Sequence, residues 1–357
     1  MAHSLRTQFE FKNACKHSDS ATLCRGKAFA KPTKSRRYVF SALLVWAFIF
    51  MIGSTLGAEV TFAERLGWKA NDVVVILHVD DVGMSHSSNL GAIDATEKGV
   101  ASSFSIMMPC PWVPEIARYL KDHSAADSGL HLTLTSEWQI YRWGPLAGKS
   151  QVPGLVDNEG CLWHTVQQVA TKAAPEEIER EIRAQLDRAE TLGLPITHLD
   201  SHMGTLFARP DYFERFARIG IEKQIPILIV GGHGSHLPAD ERKAADQLRH
   251  WVKEVWNAGL PVLDDLFTGF TSFKAEEKPE KLLALLSELK PGVTEILFHA
   301  SLPTEDFPLI TGSSEARGAD LKALTDPRVK KLIQERGILL ATWKELKERR
   351  KKASAME

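Results

Sequence analysis

Asp80 and Asp81 stand side by side in ILHVDDVGMS, directly after the apolar run 73–79. Each carboxylate wants water or a cation, yet the run before them wants a core. Further along, His131 lies near the end of SGLHLTL, Asp200 and then His202 close THLDSH, and His299 ends VTEILFH. These polar residues all fall at or just beyond the carboxyl ends of short apolar runs that read as buried strands. Aspartate and histidine in a small cluster suit a divalent cation such as zinc, iron, cobalt or manganese. A cation held there would supply a nucleophile near neutral pH and polarise a carbonyl, with the neighbouring carboxylate as general base. An Asp-Asp pair alone can equally cap a helix, here one beginning in DDVGMSHSSN. Imidazoles at matching strand ends tip the balance toward metal.

The elements that must position these groups alternate along the chain. Segments 73–79, 103–108, 128–134, 195–200, 226–232, 260–265, 293–299 and 338–343 read as strands. Helices are predicted over 88–99, 111–123, 175–193, 210–223, 239–259, 279–290 and 317–337, the last broken at Pro327. Residues 135–165 show no clear period. On the helix 175–193, Ile178, Ile182, Leu186 and Ala189 form the apolar face, and the Glu/Arg pairs read as a solvated one. Seven to eight strands, each followed by a helix, predict an α/β fold, either a TIM-like parallel barrel or a doubly wound sheet. The barrel is favoured because the carboxyl ends of its strands share one mouth, where distant Asp and His residues would meet.

The chain has 357 residues, 44% of them hydrophobic, which is enough for a large core. Its net charge of −1 is uneven: residues 1–37 carry nine Lys/Arg against Glu10 and Asp19, so the tail is +7 and the remainder −8. From Tyr38 to Ala58 no residue is charged. A basic flank, an apolar stretch of membrane-crossing length and small residues at its end predict an export signal or an uncleaved anchor. SRRYVF carries a faint twin-arginine pattern. The domain is therefore expected outside the cytoplasm, periplasmic or extracellular, touching the inner membrane only through the N-terminal segment. The expected organisation is a basic tail 1–37, the signal or anchor 38–58, a linker 59–70, one catalytic domain 71–350 and a tail 351–357. Nucleic-acid binding is disfavoured by the acidic domain. Cys110 and Cys161 read as free thiols rather than a pair.

HVDDVGMS, SGLHLTLT, THLDSHMG and ILFHAS together resemble the successive motifs of the YdjC-like carbohydrate deacetylases of the chito-oligosaccharide type, related to the NodB-type polysaccharide deacetylases. The resemblance spans about residues 70 to 345. It implies a distorted (β/α) barrel, Asp81, His131 and His202 as metal ligands, Asp80 as general base and His299 as the acid that protonates the leaving amine. Arg317 matches an arginine near the family's site. The cofactor implied is one divalent ion, magnesium or zinc, with cobalt or manganese as substitutes, and the substrate an N-acetylated sugar. The sequence departs from the family in HMGTLF, where Met203 and Gly204 replace further histidines. A homodimer is compatible with the sequence, which does not fix the oligomer.

Other residues have plainer expectations. Asp200 and His198 alternate on one strand and are expected to support the ligands, with Asp200 orienting an imidazole. Trp138 and Trp143 could stack on sugar rings, or simply pack the 135–165 loop. His233 and His236 in GGHGSH read as a flexible rim loop rather than a second metal site, and His78 as a satisfied core residue. Two alternatives to deacetylation stay open: an iron(II) oxygenase built on the same two-histidine, one-carboxylate trio, and a non-catalytic glycan-binding protein of the envelope.

Overall fold

The computed structural model describes residues 60–355. Its strands are β1 Val73–Val82, β2 Ser103–Ile106, β3 Ser128–Leu132, β4 Leu199–Ser201, β5 Asp265–Phe267, β6 Gly292–Phe298 and β7 Leu339–Leu340. The α-helices are α1 Phe62–Arg65, α2 His86–Glu97, α3 Val113–Asp122, α4 Val166–Lys172, α5 Pro175–Thr191, α6 Pro210–Lys223, α7 Ala239–Gln247, α8 Arg249–Asn257, α9 Lys278–Glu288, α10 Phe307–Ile310, α11 Ser314–Leu324, α12 Pro327–Arg336 and α13 Trp343–Ser354. All ladders are parallel, in the order β4-β3-β2-β1-β6-β5, with β7 beside the first part of β1. Backbone bonds continue past the edges. The Leu228 N–H donates to Leu199, Leu263 to Ile229 and Asp264 to Val293, so segments 226–230 and 262–264 carry the pairing from β4 round to β6. The fold is the expected distorted (β/α) barrel in one domain.

β1 is the central strand, buried from Val74 onward, as a parallel strand covered on both faces must be. Strand alternation sends Val75, Leu77 and Val79 to the main core, and Val74 and Ile76 to a smaller cluster with Leu228, Leu263, Val293 and Trp343. On the Ile76 side the next residues are His78 and Asp80. That face therefore turns from apolar to polar as it rises toward the mouth.

Several expectations are corrected. Segment 226–232 forms single bridges, Leu199↔Ile227 and Val230↔Leu263, rather than a continuous strand. The helix expected over 239–259 is two, α7 and α8, meeting at Leu248. Residues 60–70, assigned to a linker, include α1, whose Phe62 and Ala63 are buried. Asp264 draws α1 onto the barrel by accepting the Phe62 and Ala63 N–H groups at 2.7 and 3.0 Å, which serves two of the free donors of a helix start. α13 is held the same way: Asp127 accepts from Trp343 and Lys344, and Thr342 from Glu345. It runs past residue 350 into the expected tail. The tail 1–37 and the stretch 38–58 lie outside the described residues, among which no helix is long and apolar enough to cross a membrane. Cys110 and Cys161 are free.

The GGHGSH loop is a clamp beside the start of β6, not a rim loop at the mouth: His233 Nε2 lies 3.3 Å from the Pro291 carbonyl. His236 Nδ1 and Ser235 Oγ approach Asp265 Oδ2 at 2.7 and 2.8 Å, and His233 Nδ1 at 3.2 Å. Burial alone would raise the Asp265 pKa. The bond to His233, the His236 N–H, Ser235 and the His236 ring outweigh it and hold the carboxyl far below the usual range. Because the folded pKa is depressed, this stabilisation is full above the unfolded value of about 3.9 and fades as pH falls through the folded one. Asp265→Asn is thus expected to melt lower than the unaltered protein at pH 6, by about 1–3 kcal/mol of stability. The gap should narrow as pH drops below about 4. Thermal unfolding followed against pH measures both, and a gap independent of pH would refute the charge-based account.

Candidate metal centre

The backbone explains how two adjacent carboxylates share one site. Val79 pairs with Phe104 and Val82 with Ile106, so Asp80 and Asp81 together face Ser105 alone across a register shift. Such a bulge breaks the alternation that would send neighbours to opposite faces. Asp81 takes φ 65°, in the left-handed region that a side chain adopts at a cost of about 1–3 kcal/mol. Both aspartates are buried and both reach the same cluster. Neither caps α2, whose N-terminus is served instead by Ser85, accepting from the Ser88 N–H.

Around Asp81 the expected trio assembles. Asp81 Oδ1 lies 3.3 Å from His131 Nε2 and 3.1 Å from His202 Nδ1. One donor atom from each of the three falls within 4.8 Å of the others. Arg317, on α11, reaches Asp81 Oδ2 at 2.7 Å. The far nitrogen of each imidazole is engaged: His131 Nδ1 with Asp200 Oδ1 at 2.7 Å, and His202 Nε2 with Glu137 Oε2 at 3.0 Å. Carboxylates on the distal nitrogens fix ring orientation and raise ligand basicity, the usual surroundings of a metal-bound histidine. They leave His131 Nε2 and His202 Nδ1 facing the buried Asp81 Oδ1, while the Arg317 guanidinium engages Oδ2. Donor types, their spacing and ring orientation all fit a divalent cation.

The electrostatics agree. Burial lowers the His202 pKa, but the Glu137 charge and bonds to Asp81 and Glu137 raise it to about 9. His131 is likewise lowered by burial, then carried well above its ordinary value by Asp80 and Asp200. The site thus holds an excess of negative charge that draws protons or a cation. His299 Nε2 stands 3.8 Å from Asp80 Oδ2 and 3.9 Å from Asp81 Oδ2. The backbone N–H of His299 donates to Asp320 at 2.8 Å, and Asp320 is fixed by the buried Lys278 at 2.6 Å. α11 therefore carries both the arginine on Asp81 and the aspartate that anchors His299. Burial pushes the His299 pKa down, Asp81 pulls it back and Arg317 lowers it again, leaving it below the ordinary value.

Asp200 lies where it was expected, and His198 is buried with Nε2 3.7 Å from Asp200 Oδ2 and its ring stacked on Trp343. Gly129 makes room for that ring, since a Cβ there would stand 2.4 Å from His198 atoms. Trp138 and Trp143 are almost wholly buried, which leaves little ring face for a sugar. Trp143 Nε1 donates to the Thr135 carbonyl and its ring stands against His202, while Trp138 lies under the Arg317 guanidinium. Their part is to wall the site.

Two members of the cluster escaped the sequence. Glu137 sits in the aperiodic 135–165 loop, and that loop is ordered by polar residues of the helix whose Glu/Arg face was expected in solvent. From α5, Glu181 accepts from Leu146 and Ala147, Glu177 from Gly154, and Gln185 bridges the Thr133 backbone. Glu177, Glu181 and Gln185 are buried. His78 is no mere core residue: its Nε2 lies 3.2 Å from both Asp80 and Asp200. Its spacing of two from Asp80 on one strand was the available signal.

The YdjC-like protein family model matches residues 74–335. A carbohydrate deacetylase of Thermus thermophilus is 31% identical over 294 residues, 80% of this chain and 97% of its own length. A chitooligosaccharide deacetylase of Yersinia enterocolitica is 25% identical over 274 residues, 76% of this chain and 98% of its own. A crystal structure of a protein from Enterococcus faecalis V583 superposes with a TM-score of 0.66 at 25% identity, covering 77% of this chain and 99% of that one. The strand-end carboxylates and imidazoles lie within the matched region, and the chain belongs to the YdjC-like family.

Proposed function

We propose that the protein is a metal-dependent carbohydrate deacetylase that hydrolyses the N-acetyl amide of an amino sugar. The observation that carries the reading is the convergence of Asp81, His131 and His202 with Asp80 beside them and His299 opposite. Relatives that this chain matches over nearly their whole length are carbohydrate deacetylases. In this reading Asp81, His131 and His202 hold the ion, and two imidazoles with one carboxylate suit zinc, cobalt or manganese. When bound, the ion supplies an activated water at neutral pH and polarises the amide carbonyl.

The chain's own groups do the rest. Asp80 takes a proton from the attacking water. His299, held below its ordinary pKa, is neutral at rest and must receive a proton before it can give one. Its Nε2 lies 3.8 Å from Asp80 Oδ2, a distance that a small movement or one water spans. The proton accepted by Asp80 is passed through His299 to the amide nitrogen as acetate leaves. Arg317 fixes the outer oxygen of Asp81, and Asp200 and Glu137 hold the imidazole planes. An oxygenase trio has no need of a second carboxylate and an imidazole facing each other across it, which favours hydrolysis over the iron(II) alternative.

We also propose that the domain works outside the cytoplasm on an envelope or environmental glycan, from the basic tail and the uncharged stretch 38–58. The mass of the mature N-terminus tests this. Acetate release from N-acetylglucosamine oligomers and peptidoglycan fragments tests the activity. Chelation is expected to abolish release, and added zinc, cobalt, manganese or magnesium to restore it. Glycan binding unchanged by chelator, with no acetate from any fragment, would leave a non-catalytic binder.

A further inference from the structure

We propose that His78 is a positioning residue that locks the general base and the support of a metal ligand into one unit from beneath the site. The inference rests on the deacetylase reading for the role of Asp80, but its geometry stands apart from it. His78 is fully buried on β1, two residues before Asp80 and on the same face. Its Nε2 stands 3.2 Å from Asp80 Oδ1, 3.2 Å from Asp200 Oδ2 and 3.0 Å from Ser105 Oγ. Its Nδ1 stands 3.0 Å from Ser103 Oγ and 3.5 Å from Glu295 Oε1. Among the described residues neither Asp80 Oδ1 nor Asp200 Oδ2 completes a hydrogen bond, and His78 Nε2 approaches both at ion-pair distance.

Those two oxygens belong to carboxylates with different tasks. Asp80 faces His299, and Asp200 spends its other oxygen on His131 Nδ1 at 2.7 Å. Two buried carboxylates facing the same space repel, and each would rotate away without a donor between them. The His78 ring fills that place. It is held in turn by the two serines of β2 and by Glu295, which also accepts from Trp343 Nε1 at 3.0 Å. The chain of contacts runs Trp343, Glu295, His78, Asp200, His131, from the barrel floor to the ion's ligand. The charge balance is consistent: burial lowers the His78 pKa, but the bonds to Asp200 and Asp80 and the charges of Glu295 and Asp80 raise it to about 10. Burial raises Glu295 to about 8, against the pull of His78.

The test compares His78→Leu with His78→Gln in the full chain. Gln keeps an N–H near the place of Nε2; Leu fills the space without one. Cobalt(II) titrated into the metal-free protein, followed by its d–d absorption, reads the ligand geometry without any turnover. Acetate release separates kcat from KM. His78→Leu is expected to weaken cobalt binding and to lower kcat, each by about 10–100-fold, with KM changed little. His78→Gln is expected to recover at least about a tenfold share of each loss. Unchanged cobalt affinity and kcat in His78→Leu would overturn the proposal. So would equal losses in both variants, which would make the ring a space-filler. A second bound ion in the unaltered protein that His78→Leu loses would overturn it too, because the ring would then be a ligand. If His78→Leu does not fold, His78→Gln still decides: a folded Gln variant that has lost its cobalt site refutes the role. If the unaltered protein releases no acetate from any glycan, the deacetylase reading fails, and the cobalt arm alone judges His78.

Discussion

Replacing Asp80 with Asn should leave the protein folded and loaded with metal while lowering kcat by about 10²–10⁴-fold, the range for removing a positioned general base. The change exchanges one carboxylate oxygen for an amide, nearly the same shape, at a residue outside the trio of Asp81, His131 and His202, though Asp80 also stands close to His131 and Asp200. Asn at this bulge meets the same backbone demand, and His78 Nε2 keeps an acceptor if the amide oxygen takes the Oδ1 position. What is lost is the ability to accept a proton beside His299, 3.8 Å from the Oδ2 position. Metal content by atomic absorption and acetate release by enzymatic assay measure the two halves. A variant with normal turnover would remove Asp80 from the mechanism. One without metal would place it among the ligands.

His202→Ala should give the opposite pattern, with the ion gone and the activity gone with it. The imidazole contributes Nδ1 to the cluster, and its Nε2 is the partner of Glu137. Burial raises the Glu137 pKa, while the charge and bond of His202 outweigh it and hold that carboxyl below the ordinary range. Without the ring, the half-buried Glu137 loses that partner, which costs about 1–3 kcal/mol. A lowered melting temperature should accompany the loss of metal in His202→Ala, and neither should occur in Asp80→Asn. If both variants keep equal metal and equal activity, the division of labour between neighbouring strand ends is wrong.

The parts of this site visible in the sequence were those fixed by local pattern. Asp80, Asp81, His131, Asp200, His202 and His299 each stand at or beside the end of a short apolar run, and a parallel barrel gathers such ends whatever lies between. The parts that were hidden depend on partners far along the chain. Asp81 points into the cluster only because β1 bulges against β2, a pairing no window on residues 76–85 contains. Glu137 lies in a loop whose order comes from Glu177, Glu181 and Gln185 on α5, polar residues at the flank of the apolar face whose partners are not visible in the helix's own sequence. His78 reads as core because its one local companion is Asp80, two residues on; Asp200, Ser103 and Glu295 come to it from three other strands or strand ends. The same limit explains the misjudged edges. α1 and α13 begin at local caps, Thr61 with Glu64 and Thr342 with Glu345, but what docks them on the barrel is Asp264 and Asp127, and nothing adjacent to residues 62 or 343 announces a carboxylate from so far away.

The late arrival of the barrel floor has a consequence for biogenesis. Trp343 supports Glu295 beneath the polar cluster, and its helix is pinned to Asp127 across a separation of 216 residues. A nascent chain emerging from the ribosome therefore displays every metal ligand before it can build the base on which they rest. Until β7 and α13 appear, the seam beside β1 is an open, apolar strand edge, the kind of surface that aggregates or recruits a chaperone. Truncation before residue 339 should yield insoluble protein, although every presumed ligand would still be encoded.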